Sequence, residues 1–253
     1  MRMIHGCDPC PINAEGDTTL DELLGAAPDQ LDAAPSKLDL SGLVLRIRDQ
    51  GKAGTCVGFG VTQAAANAAR QSGFTYFQDM SALATYIQAR ALERALKSPG
   101  DGTTIDAALR AVAAGGYLFE DQMPYKPELR HQGFKLGQGQ AALRRCGLRS
   151  HRITGSAQSI KDQVKVLLAN GRGVVGGWQL RTDFELWTPD QGPFDGGQGA
   201  IEGGHCMCVQ DYPDGNPRLC NSWGPDVGDE GFWTVTWDVI GKATSLWAID
   251  FVP

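Results

Sequence analysis

Residues 49–73 read DQGKAGTCVGFGVTQAAANAARQSG, and the change of character inside this stretch sets the reading of the whole chain. Up to Thr55 it is loop-like, with Gly51 and Gly54. From residue 56 to 70 it is rich in Ala, the best helix former, and Gly73 closes the run. Cys56 therefore opens a helix. A thiol there sits at the positive end of the helix macrodipole, which favours the reactive thiolate. Gly54, without a side chain, leaves room for another backbone to approach closely. A small buried cysteine at a helix start is equally common, so placement alone leaves both readings open.

Working outward, residues 81–97 read as a second helix with Ser81 as N-cap, and Leu83, Tyr86, Ile87, Arg90 and Leu92 include an apolar stripe at helical spacing. A third helix starts near Thr104, with Ile105, Ala108, Leu109 and Val112 on one face and Gly115-Gly116 at its end. A polar, Gly-rich connection follows Pro124, and residues 159–170 form one more helix stopped by Gly171. Then the pattern turns to strands at 173–180, 205–212, 218–223, 231–237 and 246–252, bounded by Gly, Pro, Asn and Asp. Helices first and strands later predict an α+β chain. Its helical half covers about residues 38–130 and its β-rich half about 150–253, with a ligand site at their junction. Residues 1–37, punctuated by Pro9, Pro11, Pro28 and Pro35 and with a short helix near 19–24, read as an extension rather than a domain.

Composition narrows the function. The chain has 253 residues, a net charge of -6 and no block of Lys and Arg to neutralise phosphates, which argues against nucleic-acid binding. No apolar run is long enough for a membrane span. The start, MRMIHGCDPCP, lacks the apolar core of a Sec signal, so a reducing compartment, signal-less export or packaging in a particle is expected. Seven cysteines make an odd count, so at least one free thiol is expected and mostly reduced cysteines are favoured. Cys7 and Cys10 form a lone CxxC near His5. Without a second pair to complete four ligands, inert thiols are favoured over metal binding or a redox couple, and neither metal nor cofactor is expected. Cys206, Cys208 and Cys220 read as small buried sheet residues.

A reactive thiol needs a base. Of four histidines, His131 and His151 lie in polar stretches and read as solvated, whereas His205 follows Gly203-Gly204 and opens an apolar strand. Alone it would more often be structural. Asn221-Ser222-Trp223-Gly224, however, ends the next strand. A hairpin turning at residues 211–216 would bring the Asn221 carbonyl to the imidazole N–H, with Trp223 covering that bond. Gln50, in the loop before Cys56, can aim a side-chain N–H at a developing oxyanion, and the Cys56 backbone N–H would be the second donor.

Three segments together resemble the papain family of cysteine peptidases: DQGKAGTC from Asp49, GGHCMCVQDY from Gly203 and CNSWGPDVGDEGFW from Cys220. The likeness runs from about residue 38 to 252, and DGTTIDAALRAVAAGGYLFED and MPY are similar to segments of bacterial members. It implies a helical half and an antiparallel sheet or barrel half with the site in the cleft between them. It also implies hydrolysis of a polypeptide substrate through a thioester acyl-enzyme, with Cys56 as nucleophile, His205 as base, Asn221 orienting it and Gln50 as oxyanion donor. Asp101 and Gly102 would lie where backbone meets the substrate, or form a plain helix-capping loop. Gly204, at the end of a Gly-rich stretch, and Trp223 would border the same cleft. Val57 replaces the usual large aromatic after the nucleophile, and Ala53 the cysteine of a common disulfide. Residues 1–37 are shorter than the long inhibitory pro-segment of many members; they would restrain the site, anchor a partner, or be an inert tail. A catalytically idle scaffold used for binding or assembly is the alternative reading.

Overall fold

The structure, a computed structural model, describes residues 19–24, 34–95, 100–133 and 143–253. The Cys7–Cys10 motif, His5 and most of the N-terminal extension lie outside the described residues. Six α-helices are described: α1 (Leu20–Leu24), α2 (Cys56–Gln71), α3 (Ala82–Leu92), α4 (Ile105–Gly115), α5 (Ala157–Ala169) and α6 (Trp237–Gly241). The strands are β1 (Gly147–Arg152), β2 (Gly173–Arg181), β3 (Ile201–Asp211), β4 (Arg218–Cys220), β5 (Phe232–Thr234) and β6 (Ser245–Val252). They form one antiparallel sheet in the order β1-β6-β2-β3-β4-β5.

The sheet is a middle layer, and strand alternation divides its side chains between two cores. Cys206 and Cys208 of β3 and Trp247, Ile249 and Phe251 of β6 pack with α2 and α4. Met207 and Val209 of β3, with Leu246 and Ala248 of β6, pack on the other face with Leu23, Val164 and Leu167. Helix α2 is buried along almost its whole length, with its buried polar Gln63, Asn67 and Arg70 hydrogen-bonded inside the fold. Its small residues allow close approach. A Cβ on Gly58 would come within 2.3 Å of the Ala82 carbonyl, and one on Gly60 within 2.7 Å of the Cys206 sulfur.

Four sequence expectations are corrected. Helix α3 ends at Leu92 instead of running to 97: Arg94 takes a left-handed φ of 56°, and the Glu93 carboxylate is drawn away to the hydroxyls of Thr103 and Thr104. The strand expected at 231–237 pairs with β4 only over Phe232–Thr234, because Val235 bridges to Phe194 and Thr236 leads into α6. The stretch 218–223 pairs with β3 and β5 only to Cys220, and Trp223 bridges instead to Asp49. Strand β1 was not anticipated, since GLRSHR carries little apolar signal.

The extension is tied down where it is described. Leu23 of α1 is fully buried, worth about 1.5–3 kcal/mol for a side chain of its kind. Arg149 donates to the Glu22 carbonyl and Arg172 to the Leu23 carbonyl, and both arginines face Asp250. Farther on, Leu38 bridges to Tyr212. Among the described residues no helix is long and apolar enough to cross a membrane.

Candidate active site

The β3–β4 register builds the first half of the site. Cys208 pairs with Cys220 and Val209 with Leu219. Continuing that antiparallel register sets His205 opposite Trp223, with Asn221 on the same face, a diagonal neighbour within side-chain reach. The contacts agree: His205 Nε2 and Asn221 Oδ1 are 2.7 Å apart, and the imidazole and Trp223 rings lie 4.8 Å centre to centre. Trp223 is buried beneath the imidazole and in edge contact with Phe184 and Trp233.

Orientation of the amide follows from a second bond. The Ser222 backbone N–H, which can only donate, lies 2.7 Å from Asn221 Oδ1, so that atom is the oxygen. The imidazole nitrogen facing the same oxygen must then be the donor. The neutral ring therefore carries its proton on Nε2 and leaves Nδ1 unprotonated. Nδ1 is buried and makes no hydrogen bond to any described residue. Burial pushes the His205 pKa down to about 4, against the opposing pull of the Asn221 hydrogen bond, so the resting imidazole is neutral.

Helix α2 brings in the thiol. Asn67 donates to Gln210 Oε1 at 2.7 Å, while Gly60, two turns earlier, packs against Cys206; α2 and β3 thus run side by side in the same direction. One more turn back along α2, about 6 Å, is Cys56, which comes level with Gly204 and His205 in the first half of β3. Thr55, the residue before α2, makes no side-chain cap bond, and the first turn holds no acidic residue. The first-turn N–H groups, Cys56 among them, have no acceptor within the helix. Cys56 and His205 are both fully buried. The described cysteines form no disulfide.

Gln50 arrives by a separate route. Asp49 bridges to Trp223, the Gln50 N–H donates to the Ser222 carbonyl at 2.8 Å, and that of Gly224 donates to the Arg48 carbonyl. The side chain is fixed at both ends: Oε1 accepts from the Ser222 hydroxyl at 2.6 Å, and Nε2 donates to the Ala53 carbonyl at 2.8 Å. One of its two amide hydrogens is thus used within the loop. The Tyr125 hydroxyl donates to the Gln50 carbonyl at 2.9 Å and lies 2.7 Å from the Thr55 hydroxyl. Its only proton is committed to Gln50, so Thr55 donates to Tyr125. Burial raises the Tyr125 pKa to about 12, which keeps the phenol protonated.

The Asp101–Gly102 loop is engaged with its surroundings. The Gly102 N–H donates to the Tyr86 hydroxyl, and its carbonyl accepts from Arg90. Asp101 accepts the Gly54 N–H and faces Arg130 and His131. His131, expected to be solvated, is instead half-buried against that carboxylate. Gly204 pairs with Gln179, next to the Trp178–His205 pair. Sequence reasoning missed Ser222 as the holder of Gln50, Tyr125 as the bridge across the 50–55 loop, and the bond from Gly54 to Asp101. The first two sit inside segments quoted above for their likeness, but only the backbone trace shows their partners. Among the described residues no three His, Cys, Asp or Glu side chains are grouped to hold a metal ion.

The strand expected to open at His205 begins at Ile201, because Gly203 and Gly204 already pair with β2. Helices α2–α4 against an antiparallel sheet, with a helix-opening cysteine level with a histidine inside β3, define the papain-like α+β fold. Solved structures agree. Xylellain, a cysteine protease from Xylella fastidiosa, is similar with a TM-score of 0.70 at 20% identity over 98% of this chain and 97% of that one. ProCathepsin B S9 from Trypanosoma congolense is similar with a TM-score of 0.77 at 13% identity, over 99% of this chain and 86% of that one. Recombinant stem bromelain precursor gives 0.69 at 16%, over 97% and 76%. No family model and no curated protein matches the sequence. At these identities the likeness establishes the fold, and activity must be argued from the site.

Proposed function

We propose that the protein is a cysteine peptidase acting through Cys56, His205 and Asn221, with Gln50 as oxyanion donor. The observation that carries this reading is the Asn221–His205 hydrogen bond, which leaves Nδ1 as the basic nitrogen of a buried imidazole. The Cys56 thiol gives its proton to Nδ1, and the thiolate sulfur attacks the peptide carbonyl carbon. Charge on the carbonyl oxygen is met by the Cys56 N–H and the second amide hydrogen of Gln50. The imidazolium then protonates the leaving amine as the C–N bond breaks, leaving a thioester. Water attacks the thioester with His205 taking its proton, and the carboxylic acid departs as the thiol re-forms. Asp101, Gly102 and Gly204 border the substrate, whereas Trp223, expected there too, is buried beneath the imidazole and covers the Asn221–His205 bond instead. Gly102 does so with its N–H already given to Tyr86, so its loop is a fixed wall rather than a donor. A peptide library, with mass spectrometry after an epoxide-type peptide inhibitor, tests the reading. Hydrolysis and adduct should both appear and both vanish in Cys56→Ala. An unmodified Cys56 and no cleavage would leave the idle scaffold.

Residues 1–37 restrain this site. The support is that Cys56 and His205 are shut off from solvent, that α1 is docked on the body, and that two of the similar structures are a procathepsin and a precursor. The test is a chain starting at Ser36, which removes α1 with the rest of the segment. It should hydrolyse peptides faster than the full chain; equal rates would make the segment an inert tail.

A further inference from the structure

Two residues ahead of Cys56, the Gly54 N–H donates to Asp101 Oδ2 at 3.0 Å. The other carboxylate oxygen, Oδ1, receives Arg130 Nε at 2.6 Å and lies 3.1 Å from His131 Nε2. The Asp101 side chain is 14% exposed, so these bonds form largely out of water, where a charge-assisted bond is stronger and harder to replace. Burial raises the Asp101 pKa, but the Arg130 bond and the Gly54 N–H more than offset it, and the carboxyl titrates below its ordinary range. It is ionised at neutral pH.

The ends of this link are anchored. Arg90 of α3 donates to the Gly102 and Gly100 carbonyls, each at 2.8 Å, and Tyr86 of the same helix accepts the Gly102 N–H at 3.0 Å. Arg130 is itself held by a bond to the Pro127 carbonyl. A continuous path therefore runs from α3, through the 100–102 loop and the Asp101 carboxylate, to the backbone two residues before the thiol. The other fixings of the 50–55 loop, Tyr125 and Ser222, grip it at Gln50 and Thr55 and leave Gly54 to Asp101.

We propose that Asp101 is a positioning residue: its carboxylate clamps Gly54 and so fixes Cys56 and the Cys56 N–H relative to His205 and Gln50. Arg130 and His131 hold the carboxylate in place. The clamp rests on the peptidase reading for its effect on turnover, but not for its effect on the loop. It acts on geometry rather than affinity, so releasing it lowers turnover and leaves substrate binding nearly unchanged.

Asp101→Ala and Asp101→Asn are compared with the full-length parent. A misplacement of about 1 Å can cost about a hundredfold in rate, so Asp101→Ala should lower kcat by about 10- to 100-fold. KM should stay within about threefold, since ground-state contacts are retained. Asp101→Asn keeps a carbonyl oxygen for Gly54 and should recover part of the loss. Hydrogen exchange of the Gly54 amide, which needs no activity, should accelerate in Asp101→Ala and less in Asp101→Asn. Should Asp101→Ala fail to fold, Arg130→Gln, which removes one holder of the carboxylate, should give a smaller loss of kcat in the same direction. Unchanged Gly54 exchange in Asp101→Ala overturns the clamp, and so does parental kcat alongside faster exchange. If the parent itself cleaves no peptide, the peptidase reading falls separately. The clamp is then judged by Gly54 exchange and by the rate of Cys56 alkylation with iodoacetamide, which should change in Asp101→Ala and would overturn the clamp if it did not.

Discussion

Gln50 reaches the site with its carbonyl oxygen held by Ser222 and one amide hydrogen held by Ala53, so its remaining N–H has a single direction in which to point. On the peptidase reading proposed above, a donor fixed in this way would act where charge develops, not on the resting carbonyl. Gln50→Ala should therefore lower kcat by about 10²–10³, with little change in KM. Ser222→Ala, which leaves the amide in place but loosens it, should lose less. A raised KM at constant kcat would make Gln50 a ground-state contact. Asn221→Ala removes orientation, not the reacting group. Its kcat should fall by up to about 10⁴, and by less than in Cys56→Ala or His205→Ala, all read in one peptide assay. Pairing of His205 with Asn221 was legible because one hairpin carries both, so local strand spacing predicts their approach. The Asp101–Gly54 bond was not: the two residues lie 47 positions apart, and nothing in either local pattern marks a partner.

At the scale of elements, helix α2 seats the thiol by packing at two glycines whose surroundings differ. At Gly58 a new Cβ would meet the backbone carbonyl of Ala82 on the neighbouring helix, which has no rotamer to escape into. Ala is favoured over Gly inside a helix by about 1 kcal/mol, but overpacking typically costs about 1–3 kcal/mol. Gly58→Ala should thus be neutral at best and more often destabilising, read as a lower urea midpoint. At Gly60 the nearest atom is the Cys206 sulfur, a side chain that can be removed. Gly60→Ala should be destabilising alone and partly rescued by Cys206→Ala, giving a non-additive double-mutant cycle. Strict additivity would mean that α2 has shifted away from β3. The helix was readable because its Ala run and terminal Gly speak for themselves. Strand β1 was not, because it is a half-polar edge strand whose identity comes from pairing with β6. Nor was the turn from β5 into α6, where an aromatic-rich stretch reads as strand until Thr236 and the contacts of α6 with α5 decide otherwise.

For the whole molecule, the buried imidazole ties stability to pH. His205 has an ordinary pKa of 6.5 in the unfolded chain and about 4 in the fold, because burial disfavours its charged form. Between those values the unfolded chain binds more protons than the native one, so stability rises with pH across the window. The contribution is fully present above pH 6.5 and is lost as pH falls toward 4, by about 3 kcal/mol at most. The carboxyls of Asp39, Asp101 and Asp183 are held below 3.8, so their losses come at still lower pH. Asp211, raised by burial, acts in the opposite sense: protonation relieves its cost as pH falls through its native pKa. Urea unfolding from pH 7 to 4 should show a steady decline in the parent, taken in the Cys56→Ala background to prevent self-cleavage. His205→Gln in that background should be flatter over the same range, whatever its absolute stability. Equal slopes in the two proteins would mean that the fold does not bury His205 as a neutral imidazole.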